Sequence, residues 1–124
     1  MTTTPTSPQV RLATAGDAAV RALIEAGADV SRPSDSYAVL GALARVQSGL
    51  TRVFEQYADW HAGVEVGVHH AGDAPDDEAN PSWARAESAL RDAVEHSRAA
   101  AAALERAHTA NGVASWYDEI RADG

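Results

Sequence analysis

The sequence predicts an all-α protein, a small helical bundle built on an antiparallel pair of long helices with short flanking helices. Three observations carry the prediction. A run from Val39 to Trp60 repeats apolar residues at alternating spacings of four and three. A second run from Trp83 to His108 carries a seam of residues three or four apart behind a clean helix start at Asn80-Pro81. The segment between them, residues 63–80, holds Gly63, Gly67, Gly72 and Pro75 and turns acidic from Asp73 to Glu78, as a connecting loop would. Two long helices joined by one loop pack antiparallel.

Taken in order, residues 1–12 read as a flexible tail, and residues 13–124 as a single helical domain. Met1 to Pro8 is rich in Thr and Pro and lacks the basic and apolar blocks of a signal peptide. The first helix is expected from Thr14, because Thr14-Ala15-Gly16-Asp17 fits a capping box. Val20, Leu23, Ile24 and Gly27 then share one face, and Gly27 ends the helix.

The second helix is expected from Ser34 or Asp35, either of which can cap it. Val39, Leu43, Val46, Leu50, Val53, Tyr57 and Trp60 form its heptad seam, and Leu40 and Phe54 widen the stripe. Arg45, Gln47, Arg52, Glu55 and Asp59 fall on the outward positions. Ser48-Gly49 in mid-helix suggests a close approach by another element. The third helix carries Trp83, Ala86, Leu90, Val94, Ser97, Ala101, Leu104 and His108 as its seam, and Asn111-Gly112 ends it. A short last helix over about 113–121 would bring Trp116, Tyr117 and Ile120 together as a lid.

Two resemblances follow from these stretches. Ala19 to Val30, AVRALIEAGADV, resembles the second helix and exit loop of an ankyrin repeat. The Thr-Pro-Leu-His opening is absent before it and no copy follows at a period of ~33 residues, so an ankyrin array is not expected. Tyr37 to Ala62, about a fifth of the chain, resembles small uncharacterised Ala- and Arg-rich helical proteins of actinobacteria in pattern and composition. That resemblance implies no activity and carries over no functional residue.

Composition narrows the function classes. The 124 residues include 18 acids and 10 bases, a net charge of −8, which argues against a nucleic-acid partner held by a basic surface. Every base is Arg; Lys is absent, and with it Schiff-base and P-loop chemistry. The Arg and Ala bias suggests a GC-rich bacterial host. Cysteine is absent too, which excludes disulfides and thiolate metal sites and fits a cytoplasmic location. No apolar run approaches the ~20 residues of a membrane span. Neither a Gly-x-Ser-x-Gly elbow, a GxGxxG nor a Walker pattern occurs.

Two candidate sites remain. The first is a protein interface of Leu50, Val53, Tyr57 and Trp60 on the second helix with Trp83, Trp116 and Tyr117, since Trp and Tyr dominate binding hot spots. Its expected occupant is a protein partner or a second copy of the chain. The second is a divalent transition metal site, zinc for instance, from His61, Glu65, His69, His70 and Asp73. If the second helix runs on past Trp60, His61, Glu65 and His69 share one face at i, i+4 and i+8. If Val64, Val66 and Val68 form a strand instead, Glu65 and His69 point one way and His70 the other. His108 is expected at the edge of the core, and Asp59 to pair with His61 or Arg52. The favoured reading is a non-enzymatic interaction protein with an accessory or regulatory role; the alternative is a small metal-binding protein or metal-dependent enzyme.

Overall fold

The computed structural model describes residues 5–63 and 79–112. It contains three α-helices, α1 (Pro8–Ala26), α2 (Pro33–Ala62) and α3 (Ser82–Ala110), and no strand among the described residues. The predicted all-α class is what is found. No helix among the described residues is long and apolar enough to cross a membrane. The chain divides into two compact units at Ser31–Arg32.

α1 starts six residues earlier than the capping box at Thr14 suggests, so residues 8–12 of the expected tail are helical. The Ser7 hydroxyl accepts the Val10 amide at 3.3 Å, and Pro8 occupies the first helical position. Gln9 to Ala13 then offer no helix breaker, so the helix passes straight through Thr14. The Thr14 hydroxyl donates to the Val10 carbonyl at 2.8 Å, the bond of a residue inside a helix and not at its cap. Arg21 and Asp17 pair one turn apart at 3.1 Å. Gly27 ends the helix at φ +77°, its amide bonding back to Leu23 and Ile24. Ala19 to Ala26 is thus the second half of one 19-residue helix, not the second helix of an ankyrin repeat. No residue of α1 is buried.

α2 and α3 form an antiparallel hairpin. The start of α2 meets the end of α3, where Ser36 accepts a hydrogen bond from Asn111 at 3.0 Å and Tyr37 stacks on His108 at 4.1 Å. At mid-length Gln47 and Thr51 meet Ser97. Near the end of α2, Glu55 pairs with Arg98 and Asp59 with Arg91. α2 begins with Arg32 at its cap and Pro33 in the first turn, so neither Ser34 nor Asp35 is the cap; Asp35 lies in the first turn and pairs with Arg32 at 3.3 Å. α3 is capped by Pro81, one residue after the expected Asn80.

The seam expected on α3 is the one that faces α2. Val94 and Ser97 are buried, and Trp83, Ala86, Leu90, Ala101, Leu104 and His108 are half-buried. Of the seam expected on α2, Val39 and Leu43 are half-buried, whereas Val46, Leu50, Val53, Tyr57 and Trp60 are exposed. The buried residues of α2 are Gly41, Ala44, Thr51 and Ala58, joined by half-buried Leu40, Gln47, Phe54 and His61. This stripe also repeats in heptads, and most of its members directly follow a residue of the expected seam. One residue is about 100° around a helix, so α3 sits a quarter-turn away from the large apolar residues. The small side chains at Ala44, Thr51 and Ala58 let the two backbones come close.

Gly41 marks the tightest approach. A Cβ at this position would lie 2.9 Å from Nε2 of His108, which is itself held by the stack on Tyr37. Close packing at Ser48-Gly49 does not occur; both are exposed, and nothing lies within 4 Å of a Cβ at Gly49. The buried polar groups at mid-length satisfy one another. Gln47 donates to the Ser97 hydroxyl at 2.7 Å, and the Thr51 and Ser97 hydroxyls are 2.7 Å apart. The Gln47 carbonyl lies 3.1 Å from the Thr51 hydroxyl and 3.3 Å from that of Ser97; with one proton each, one hydroxyl donates to this carbonyl while the other donates across the Thr51–Ser97 pair. Gln47, expected to face solvent, is therefore part of the helix interface.

Candidate protein-binding face

α2 carries a row of large apolar residues that α3 does not cover. Val46, Leu50, Val53, Tyr57 and Trp60 are exposed, from 38% at Leu50 to 53% at Val46. They recur every three or four residues, so they line one side of the helix over four turns. Isolated exposed apolar residues are ordinary on a protein surface, but a contiguous row of them marks an interaction face. Of the expected interface residues, Leu50, Val53, Tyr57 and Trp60 stand in this row. Trp83 is half-buried at the opening of α3. Trp116 and Tyr117 lie outside the described residues.

The opposite side of the hairpin is charged. Arg98 pairs with Glu55, and Arg91 bridges Asp59 at 2.9 Å and Glu87 at 3.3 Å. Asp59 thus pairs across to α3 and not with Arg52 or His61. The hydrogen bond that Arg91 donates to the Asp59 carboxylate raises the Arg91 pKa above the usual arginine value. These exposed pairs contribute little to stability, but they show which flank of each helix is turned to water.

At the end of α2, His61 meets the Trp60 ring edge-on at 4.9 Å. Its Nδ1 is buried without a hydrogen-bond partner, as is Nε1 of Trp83. Both groups lie where α2 ends and α3 begins. The helix stops at Ala62, with Gly63 closing its last turn. Of the expected metal ligands only His61 is described; Glu65, His69, His70 and Asp73 lie outside the described residues. Among the described residues no three His, Asp or Glu side chains are grouped to hold a metal ion.

Comparison of the chain with family models, curated proteins and solved structures finds no match.

Proposed function

We propose that this chain is a non-enzymatic helical interaction protein that works in the cytoplasm through the uncovered apolar seam of α2. One observation carries the reading. A row of large apolar side chains on α2, Val46, Leu50, Val53, Tyr57 and Trp60, is turned outward, while the buried side chains of the hairpin are those of Ala44, Ala58 and Val94 with Thr51 and Ser97. No large side chain is fully buried among the described residues. A helix pair with so small an interior is marginal by itself, because stability at this size comes mainly from apolar area removed from water. Covering the seam supplies that area. An accessory or regulatory role fits a protein whose main surface feature is a docking face. The absence of cysteine is consistent with the cytoplasm.

Hydroxyl-radical footprinting of the full chain tests the reading. Val46, Leu50, Val53 and Trp60 are expected to be protected, relative to exposed side chains such as Val20 of α1, in concentrated protein or inside host cells. Modification of the seam to the level of its bare exposure, both in purified protein at every concentration and in cells, would overturn it.

A further inference from the structure

The face that holds the α2 seam extends onto α3, and it is self-complementary. In the antiparallel hairpin, Arg91 and Arg98 mark the flank of α3 on the side of Glu55 and Asp59. About half a turn around α3 from those arginines come Ala89, Ala93, Ala100 and Ala107, with His96 among them. They lie on the same side of the hairpin as Val46, Leu50, Val53 and Tyr57. One side of the hairpin is thus a ridge of large residues beside a furrow of alanines.

This side carries no Asp, Glu or Arg along either row, in a chain of which 23% is charged and whose net charge is −8. Acids along the face would make two copies repel; the face leaves them out. A partner recognised by charge would find only His96 there to pair with.

We infer that the occupant of this face is a second copy of the chain, with the α2 ridge of each protomer seated in the α3 alanine furrow of the other. The inference rests on the seam being an interaction surface, as proposed above. A two-fold axis parallel to the helices produces the arrangement. It lays each α2 over its partner's α3, antiparallel to it, so every neighbouring pair of helices is antiparallel and the product is a four-helix bundle. Large side chains then meet small ones, the condition for interdigitation. The other two-fold, perpendicular to the helices, would set ridge against ridge and leave the furrows facing one another across a gap.

The available area is sufficient. From Val39 to Trp60 the ridge runs roughly 30 Å, and two helices side by side are about 20 Å wide. Two such faces in contact bury on the order of 1,200 Å², where stable interfaces begin.

Solution mass and cysteine crosslinking of the full chain test the inference, since the chain has no cysteine of its own. Light scattering is expected to give twice the 13.0 kDa chain mass. Ala100→Glu, at an exposed position, is expected to keep its helical circular dichroism and weaken the dimer about a hundredfold, because it buries an unpaired carboxylate. Leu50→Cys protein mixed with Ala100→Cys protein is expected to form a disulfide between the two chains, while Leu50→Cys alone is not. A disulfide in Leu50→Cys alone would overturn the pairing in favour of ridge on ridge. A dimer that Ala100→Glu leaves unchanged would overturn the use of the furrow. A monomer whose seam is still protected in cells would overturn the second copy and leave the interaction reading standing, with another protein as occupant. A monomer whose seam is open everywhere would remove both.

Discussion

α2 and α3 are nearly equal in length, 30 and 29 residues, and each repeats apolar residues in heptads, yet they use those residues differently. α3 turns its seam onto its neighbour. Val94 and Ser97 are buried there, and the rest of the row is half-covered. From Val46 onward α2 turns its seam away and offers instead the stripe of Gly41, Ala44, Thr51 and Ala58. The difference teaches what two helices can bury between them. Only the residues near the line joining two helix axes are enclosed by a single pair, and small side chains allow the close approach that encloses them. A leucine or tryptophan needs neighbours on more sides than one helix supplies. α2 therefore places its small residues against α3 and leaves the large ones of its outer row uncovered.

The comparison is broken most forcefully by putting bulk on the covered stripe. Ala44→Leu is expected to destabilise the hairpin by about 3 kcal/mol, since Ala44 is fully enclosed and overpacking pushes the backbones apart. Leu50→Gln, on the uncovered seam, is expected to change the stability of dilute protein by less than about 0.5 kcal/mol. Urea unfolding at low protein concentration measures both. Equal losses at the two positions would mean that α3 does not discriminate between the stripes.

The polar contacts give the next effect. Ser97→Ala removes the group that Gln47 and Thr51 share and is expected to cost about 1–2 kcal/mol, because the Gln47 amide loses its acceptor in the helix interface and Thr51 keeps only its bond to the Gln47 carbonyl. A Ser97→Ala protein as stable as the parent would mean that the network adds nothing to the pairing of the helices. Gly41→Ala sets helix propensity against contact. A helical alanine is worth about 1 kcal/mol over glycine, but the added methyl meets His108 at 2.9 Å. The expected net result is a loss of about 1 kcal/mol that turns into a gain when His108→Ala is combined with it. A double-mutant cycle reads this coupling directly. The smallest effect belongs to the charged flank. Arg98→Gln is expected to shift stability by less than about 0.5 kcal/mol, with the remainder erased by salt.

Much of this is legible in the residues themselves. Asn80-Pro81 and Asn111-Gly112 bracket α3 within a residue or two of its observed ends, because proline and glycine act locally on the backbone. The seam of α3 is legible as well, since that helix has only one row that carries Leu90, Val94 and Leu104. The start of α1 is not. Ser7-Pro8 and Thr14 both carry cap chemistry, and local propensity alone does not rank two caps six or seven residues apart. The candidate face is visible as the row Leu50, Val53, Tyr57 and Trp60, but its heptad spacing does not say whether α3 or another chain covers it. One signal for the contact with α3 is present, the small residues at every seventh position, Ala44, Thr51 and Ala58. It is easily overlooked because a hydrophobicity pattern weighs large residues most.

By itself the sequence determined the secondary structure class, the two long helices and the existence of an apolar row on each. Those follow from backbone propensity and from the period of the helix, and both act within a few residues. Only the tertiary structure decided which row of α2 meets α3, that Gln47 points inward to Ser97 and that Asp59 pairs with Arg91. The two rows of α2 differ by a single residue in register, and nothing local chooses between them. The choice belongs to the fit between two helices: how closely their backbones approach at Gly41 and Ala44, and whether the hydroxyls of Thr51 and Ser97 find each other once water is gone.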